Sequence, residues 1–252
     1  MKPRVRIASA RTPDGSEMVL YQHDCDFSIM VNDDDLMHSR RNESELELAR
    51  LGCAHLAGRQ APSILIGGLG MGYTLRQALD ILSPNAEVVV GELMRAVVDW
   101  NREFLGELNG HPLGDQRVDL KTGDVVTLIA HSRNRFDAIL LDIDNGPDAM
   151  TDSGNHQLYG YEGILACQRA LRDQGCLAVW SAKPSKNFEE LLMSCGFHVS
   201  CFQVPAHKGS KSQTHFVWVA SENKNVLPAG GDPHLPHKNP SKESRRQPRK
   251  RR

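Results

Sequence analysis

Apolar positions along the chain follow two periods, and from residue 62 onward the two periods alternate. Short runs of consecutive apolar residues at 64–66, 88–90 and 138–141 predict strands, and the amphipathic stretches between such runs predict helices. Strands that alternate with helices predict a parallel sheet covered by helices on both faces. The last two runs, 198–206 and 214–221, are joined by a polar loop instead of a helix, so we expect them to pair antiparallel.

The same patterning divides the chain into three segments. Residues 1–35 contain short alternating runs separated by turn signals, which predict a small N-terminal β-meander. Residues 36–221 form an α/β domain, and its mostly parallel seven-stranded sheet with an antiparallel final pair is typical of the Rossmann-like class I methyltransferase fold. Residues 222–252 are rich in Pro, Gly, Lys and Arg and nearly free of large apolar groups, which predicts a disordered tail.

An amphipathic helix is expected just before the first strand of the α/β domain. Ser44 is followed three residues later by Glu47, the spacing of a capping box in which the hydroxyl accepts from a backbone N–H. The apolar series at residues 46, 48, 51, 54 and 56 then predicts a helix of about 12 residues.

The composition fits a soluble globular protein, because 40% of the 252 residues are hydrophobic and 24% are charged. We expect neither a membrane span nor a secretory signal, since no apolar run is long enough for either. The six cysteines show no CxxC pair and no metal-ligand spacing with the histidines. We therefore expect buried, reduced thiols, no bound metal and a cytoplasmic protein.

Charge is distributed unevenly along the chain. Residues 222–252 carry 9 Lys/Arg and 3 Asp/Glu, while residues 1–221 carry 21 and 28, so an acidic body precedes a basic tail. A basic tail of this kind either makes the protein more soluble or touches an acidic surface such as nucleic acid.

A glycine-rich turn follows the first strand of the α/β domain. Gly68, Gly70 and Gly72 form the pattern GxGxG between a β-branched run and a helical pattern. Glycines at this spacing let the backbone turn sharply and point the N–H groups of the next helix at a ligand. Glu92 ends the next strand, 24 residues after Gly68, where an acidic residue binds ribose hydroxyls in such βαβ units. The combination predicts a nucleoside-binding crevice.

Polar residues also stand at the ends of later strands. Asp124 ends the third strand of the α/β domain, predicted at 117–124, and Asp142, Asp144 and Asn145 come at the end of the fourth, which contains the apolar run 138–141. Since ligands bind at the carboxyl ends of the strands in open α/β sheets, these side chains and Glu92 are candidate site residues. Each aspartate could instead be a helix N-cap, and Asp124 fits that role best because a helix begins directly after it.

Five segments of the chain follow one another in a characteristic order. GGLGMGYTLRQAL, VVVGE, KTGD, FDAILLDIDNGP and LYGYEGILACQRAL resemble, in order and spacing, the spermidine synthase (polyamine aminopropyltransferase) family over residues 18–220. This resemblance implies that the turn at 68–72 holds a nucleoside sulfonium as co-substrate, either S-adenosylmethionine or decarboxylated S-adenosylmethionine. It further implies that Glu92 binds the ribose and that Asp124 binds the adenine.

The resemblance also implies where the chemistry takes place. Asp142 matches the family's catalytic aspartate, which would hold the attacking amine and help to deprotonate it. Asp144 is a second catalytic candidate, and with Glu45 it adds negative potential for a cationic substrate. Asn145 stands where the family has its second acidic residue, which is a departure from the pattern, and we assign it to donor binding.

Several positions depart from the family's pattern. Gly70 stands where the family's glycine loop has an acidic residue. In the substrate pocket, Glu45 and Leu46 replace a Tyr-Gln pair, Leu36 replaces a glutamine and His207 replaces an aromatic residue. Both aminopropyl transfer from the decarboxylated donor and methyl transfer from S-adenosylmethionine therefore remain open.

Two further pairs of side chains are candidates near the acceptor. Tyr159 and Tyr161 either line the acceptor pocket or pack on the sheet, and Trp180 is a candidate for a wall of that pocket. Arg40 and Arg41 could face a carboxylate, a group that intact S-adenosylmethionine possesses.

Two other classes of function also remain open. GxGxG followed by an acid suits a NAD-dependent oxidoreductase, although the paired terminal strands argue against it. A catalytically silent relative could retain the nucleoside pocket and bind nucleic acid through the basic tail. The expected partners are a small-molecule amine, a second copy of the chain in a homodimer and, weakly, nucleic acid, but no membrane.

Overall fold

A computed structural model gives the structure of the protein for residues 3–143, 146–149, 156–207, 209 and 214–232. These residues form two β-sheets, and helices pack on the larger sheet. Asp144, Asn145 and the basic residues at 233–252 lie outside the described residues, so the expectations for them stay predictions.

The N-terminal sheet is an antiparallel meander of four strands: β1 (Val5–Arg11), β2 (Glu17–His23), β3 (Asp26–Val31) and β4 (Asp34–His38). Leu20 and Ile29 are fully buried and attach this sheet to the core. The meander extends beyond its predicted end at residue 35. Asn32 and Asp33 make a tight hairpin turn with positive φ, so the chain re-enters the sheet at Asp34.

The second sheet has seven strands: β5 (Ser63–Gly67), β6 (Glu87–Glu92), β7 (Val118–Thr122), β8 (Phe136–Leu141), β9 (Leu171–Ser181), β10 (His198–Pro205) and β11 (Thr214–Ser221). Their order is β10-β11-β9-β8-β5-β6-β7, and β11 runs antiparallel to both of its neighbours. The other pairs are parallel. The predicted Rossmann-like class I methyltransferase fold is thus confirmed. The strand order reverses between β5 and β8, which is where a ligand crevice forms in open α/β sheets.

Alternate residues of the central strands pack on opposite faces of this sheet. Ile64 and Ile66 of β5 belong to one core layer, and Leu65 belongs to the other. Every residue of β5 and β8 is buried, as expected for parallel strands that are covered on both faces.

The described residues include seven α-helices: α1 (Glu43–Gly52), α2 (Tyr73–Ile81), α3 (Arg95–Trp100), α4 (Val125–Ala130), α5 (His156–Tyr159), α6 (Tyr161–Ala170) and α7 (Lys186–Ser194). Helices α1, α2 and α3 contribute to one core layer, and α4, α6 and α7 contribute to the other. Helices α5 and α6 follow one another closely and are separated only at Gly160. The helix predicted after β6 continues beyond α3 as a π turn (Asn101–Leu105) and a 3-10 turn (Gly106–Asn109).

The predicted capping box at the start of α1 is wrong. The helix begins after Asn42, so Ser44 and Glu47 both lie inside it. The Ser44 hydroxyl lies 2.9 Å from Nδ1 of His215 in β11, and Glu47 pairs with Arg50. The contact with β11 takes precedence over the local capping signal, because it gives the buried Ser44 hydroxyl a hydrogen-bond partner.

The chain stays ordered beyond residue 222, the predicted start of the disordered tail. A 3-10 turn covers Lys224–Val226, and the Asp232 and Cys201 backbones exchange hydrogen bonds of 2.9 and 3.1 Å. Leu227 packs against the core beside Val226. These contacts move the start of the predicted tail at least to residue 233.

None of the helices in the described residues is long and apolar enough to cross a membrane. Nor do the described ranges contain a group of three or more His, Cys, Asp or Glu side chains placed to bind a metal ion. Five of the six cysteines are buried free thiols, and Cys25 is exposed. Burial raises the pKa of the Cys53 and Cys167 thiols to about 12.

Candidate active site

The glycine-rich turn between β5 and α2 runs past the carboxyl end of β8. Gly68 donates its N–H to Gly91 O, and Asp142 donates its N–H to Gly67 O, each at 2.8 Å. Gly68 has φ +91°, and a Cβ on this residue would lie 2.2 Å from the Asp142 carbonyl oxygen. Glycine alone fits both the positive φ and so close a backbone contact. The turn is therefore held directly against the end of β8.

Two asparagine amides hold the rest of this turn. Asn101 Nδ2 donates to Gly70 O, and Asn109 Nδ2 donates to Met71 O, each at 2.8 Å. Both asparagines lie in the irregular helical segment after α3, so its π and 3-10 turns bring the amides to the glycine turn. Sequence reasoning missed both residues, because no motif marks them.

Glu92 at the end of β6 joins the glycine turn to the neighbouring strand. Its side chain is 7% exposed, and its two oxygens accept the N–H groups of Leu69 at 2.8 Å and Met94 at 2.7 Å. The carboxylate thus lies beside the turn, as its spacing from Gly68 predicted. Its assignment to a ribose stays a prediction.

Asp124 follows β7 and caps α4. Its exposed side chain accepts the N–H of Val126 at 2.8 Å, which confirms the interpretation of this residue as an N-cap. Gly123 donates its N–H to Glu92 O at 2.8 Å and brings the ends of β6 and β7 together. The assignment of Asp124 to adenine stays a prediction. It is compatible with the cap, because a carboxylate offers two acceptor oxygens.

Asp142 is the first residue after β8, and its half-buried side chain turns toward α2. Thr74 in the first turn of α2 donates its hydroxyl to Asp142 Oδ2 at 2.6 Å. Burial raises the pKa of Asp142 to about 6, although the Thr74 hydrogen bond works in the opposite direction. The carboxyl group therefore titrates close to neutral pH, the range in which a general base is effective.

Glu45 in α1 places a second carboxyl group beside Asp142. Burial raises the pKa of Glu45 well above its usual value, and the negative charge of Asp142 raises it further. Two such groups resist double ionisation, because each carboxylate disfavours a charge on the other. Near neutral pH the pair is therefore expected to hold one proton.

One cavity of about 430 Å³ contains both carboxyl groups. Its other walls include Trp180 at the end of β9 and His215 in β11, whose rings meet edge to face with centroids 4.8 Å apart. Burial, and to a smaller extent the charge of Arg41, lowers the pKa of His215. The remaining lining residues are Asp35, Leu36, Met37, His38, Arg41, Ser44, Gly70, Met71, Ala182, Ala206 and Thr214.

Of the residues predicted from the sequence, the glycine turn, Glu92, Asp124 and Asp142 all lie at the carboxyl edge of the large sheet. Trp180 lines the cavity, whereas Tyr159 is fully buried and packs edge to face on Phe188. Thr74, Ser44, His38 and Met37 are site residues that sequence reasoning missed. A weak signal existed for Thr74 alone, because it lies in the first turn of a helix that begins at the glycine turn.

A family model described as the spermine/spermidine synthase domain matches residues 51–226. The polyamine aminopropyltransferase of Saccharolobus solfataricus is 28% identical over 127 residues, which are 50% of this chain and 41% of that protein. The polyamine aminopropyltransferase of Nitrosomonas europaea is 32% identical over 130 residues, which are 50% of this chain and 37% of that protein. The matched part of this chain thus spans less than half the length of these curated relatives.

Solved structures of other proteins share this fold. The crystal structure of spermidine synthase from Thermotoga maritima aligns with a TM-score of 0.68 and 18% sequence identity. The alignment covers 88% of this chain and 76% of that chain. At this level of identity the likeness shows the fold alone.

Proposed function

Because the chain belongs to the spermine/spermidine synthase family, we propose that it transfers an aminopropyl group from decarboxylated S-adenosylmethionine to an amine. The observation that carries this proposal is the pair of carboxyl groups, Asp142 and Glu45, in one cavity beside the glycine turn. Carboxyl groups hold a cationic amine, and an ionised one can accept its proton. The pair thus matches what the attacking amine requires.

Donor binding is assigned to Gly68, Gly70 and Gly72 together with Glu92 and Asp124. The surroundings of Gly70 support this assignment, because a Cβ on this residue would enter the cavity, 3.4 Å from the sulfur of Met37. A glycine there leaves room for a ligand against the backbone. The earlier candidates Asp144 and Asn145, for catalysis and donor binding, lie outside the described residues.

Glu45 supplies the carboxyl group that the glycine turn lacks. The family's pattern has an acid where this chain has Gly70, and Oε1 of Glu45 lies 3.9 Å from the position of a Cβ on Gly70. The carboxyl group therefore comes from α1 instead of the turn and reaches nearly the same place. A carboxyl group at this place disfavours the carboxylate of intact S-adenosylmethionine, which supports the decarboxylated form as the donor.

The proposed reaction needs positioning and a base. The lone pair of the acceptor nitrogen attacks the propyl carbon next to sulfur, the C–S bond breaks, and its electron pair stays on sulfur in the leaving 5′-methylthioadenosine. The proton that the nitrogen must lose passes to Asp142, which Thr74 orients through its hydrogen bond. Alignment of the two reactants accounts for several kcal/mol of the rate acceleration.

The rate should depend on pH through Asp142. Asp142 must be ionised, and its pKa is raised to about 6, so activity is lost as the pH falls through that value. The acceptor binds as its ammonium ion, the form that a free amine with a pKa of about 10 keeps at neutral pH, and it gives its proton to Asp142. We expect log(kcat/KM) for the acceptor to rise with a slope near one below pH 6 and to level off above it. Initial rates measured from pH 5 to 9 check this, and a profile without this change of slope near pH 6 would contradict the role of Asp142.

The proposed function is tested by product analysis. The full chain is incubated with decarboxylated S-adenosylmethionine and a panel of amines, and 5′-methylthioadenosine is quantified by chromatography. Release that depends on both donor and amine is expected. Transfer of a methyl group from S-adenosylmethionine, without any 5′-methylthioadenosine from the decarboxylated donor, would overturn the proposal.

The cysteines support a proposal about where the protein acts. Five buried free thiols support a site of action where cysteines stay reduced, such as the cytoplasm. A homodimer and a weak contact of the basic tail with nucleic acid stay predictions from the sequence.

A further inference from the structure

The cavity beside Asp142 shares part of its wall with a second one. The first has a volume of about 430 Å³ and the second about 490 Å³, and both have His38 and Arg41 in their walls. The end of β4 and the connection to α1 therefore form the border between them. Since Asp142, His38 and Arg41 all line the first cavity, one ligand in that cavity can contact all three.

The two cavities differ in the charged side chains that line them. The inner end holds the half-buried carboxyl groups of Asp142 and Glu45. The outer cavity contains two guanidinium groups and three imidazoles but one carboxylate; its lining residues are His23, Asp26, His38, Arg40, Arg41 and His207. Carboxyl groups therefore characterise the inner end, whereas imidazoles and guanidinium groups that are each paired with one carboxylate line the outer end.

Arg41 is the guanidinium that both cavities share. Its Nη1 lies 3.3 Å from Asp35 Oδ2, and 52% and 35% of these two side chains are exposed. An ion pair this exposed contributes little stability, so the carboxylate of a ligand can compete with Asp35 for the guanidinium. Arg40 differs, because it pairs with Asp26, whose side chain is only 16% exposed.

The charge pattern disfavours a simple diamine as the acceptor. The second ammonium of a diamine would lie near two guanidinium groups, and the carboxylates there, Asp26 and Asp35, are already paired with them. We propose that the acceptor carries an amine at one end and a carboxylate at the other, with the amine at Asp142 and Glu45 and the carboxylate at Arg41 and His38. This inference rests on the proposed function, since it names the acceptor of the same site.

The bond changes are those of aminopropyl transfer. The acceptor nitrogen forms a new N–C bond, the C–S bond of the donor breaks with its electron pair on sulfur, and the nitrogen's proton passes to Asp142. The carboxylate of the acceptor takes no part in these changes. Arg41 therefore affects binding of the acceptor and not the chemical step.

Two acceptors of equal chain length test whether the far end of the acceptor is a carboxylate or a second amine. They are 4-aminobutanoate, with an amine and a carboxylate, and 1,4-diaminobutane, with two amines. Each is incubated with the full chain and decarboxylated S-adenosylmethionine, and release of 5′-methylthioadenosine is measured against acceptor concentration. We expect the higher kcat/KM for 4-aminobutanoate. The variant Arg41→Gln should raise KM for 4-aminobutanoate about tenfold, the loss expected for one partly exposed charged hydrogen bond, and leave kcat unchanged. It should not raise KM for the diamine.

Two variants serve as controls for Arg41→Gln. Arg41→Lys retains the charge and should recover part of the affinity for 4-aminobutanoate. Arg133→Gln removes an exposed cation beyond the C-terminal end of α4 and should change neither KM nor kcat. Thermal melting of each variant shows whether it is folded.

The outcomes that overturn the inference differ from those that overturn the proposed function. A higher kcat/KM for the diamine, or an unchanged KM of Arg41→Gln for 4-aminobutanoate, overturns the inference and leaves aminopropyl transfer intact. Weaker binding of intact S-adenosylmethionine by Arg41→Gln, with unchanged acceptor KM, assigns the guanidinium to the donor's carboxylate and also overturns it. If no amine releases 5′-methylthioadenosine from the decarboxylated donor, the proposed function itself fails.

Discussion

Replacement of Asp142 by Asn is expected to lower kcat for 5′-methylthioadenosine release by a factor of about 10² to 10⁴, the usual contribution of a general base. The amide keeps the shape of the side chain and can still accept the hydrogen bond that Thr74 donates at 2.6 Å to the carboxylate. It cannot take a proton from the amine. Steady-state rates at pH 8, with saturating donor and acceptor, measure the loss.

A matched variant separates this effect from a general loss of charge. Asp99→Asn removes an exposed carboxylate that pairs with Arg95 on α3, and it should leave kcat unchanged. Donor affinity of Asp142→Asn should stay within about threefold of the parent value, because the glycine turn contacts the backbone of Asp142 and not its carboxyl group. A kcat within tenfold of the parent protein would contradict the assignment of Asp142 as the base.

The largest expected effect on stability comes from Asp137, a buried carboxylate in β8. Its side chain is 1% exposed and accepts hydrogen bonds from Arg59 at 2.6 Å, Arg172 at 2.8 Å and the backbone N–H of Ser63 at 2.8 Å. Asp137→Ala leaves the buried N–H and two guanidinium groups without this partner. We expect the free energy of unfolding to fall by about 3 kcal/mol, the lower end of the range for a broken buried pair, since both arginines remain accessible to water. Urea unfolding curves measure the change.

The control for this prediction lies in β9. Asp173→Ala removes an exposed carboxylate near Arg172 in sequence and should change the free energy of unfolding by less than about 0.5 kcal/mol. If the two variants unfold at the same urea concentration, the Asp137 cluster does not stabilise the fold. Activity of the folded Asp137→Ala protein should be retained, because Asp137 is not among the residues that line the cavity.

The arrangement of strands could be predicted from the sequence because each strand carries its own local signal. The apolar run of β8 is buried on both faces, and the loop between β10 and β11 is too short for a parallel crossover. The start of α1 could not be predicted, because the Ser44 hydroxyl is occupied by His215, which is 171 residues away along the chain. Local capping rules cannot detect such a partner.

Those residues of the site that stand at the ends of strands could be predicted from the sequence. Asp142 and Glu92 follow apolar strands whose carboxyl ends share one edge of the sheet, so their positions follow from the pattern. The pairing of Asp142 with Glu45 could not be predicted in the same way. It depends on how α1 packs against the sheet, and the raised pKa of both groups arises from that packing.

Calorimetric titration of the full chain with decarboxylated S-adenosylmethionine and, separately, with S-adenosylmethionine tests the central claim most directly. Aminopropyl transfer at this site predicts binding of the decarboxylated form, with a clearly lower affinity for the intact form. Preference for intact S-adenosylmethionine would point to a methyltransferase instead. Binding of neither compound by folded protein would contradict the transferase account as a whole.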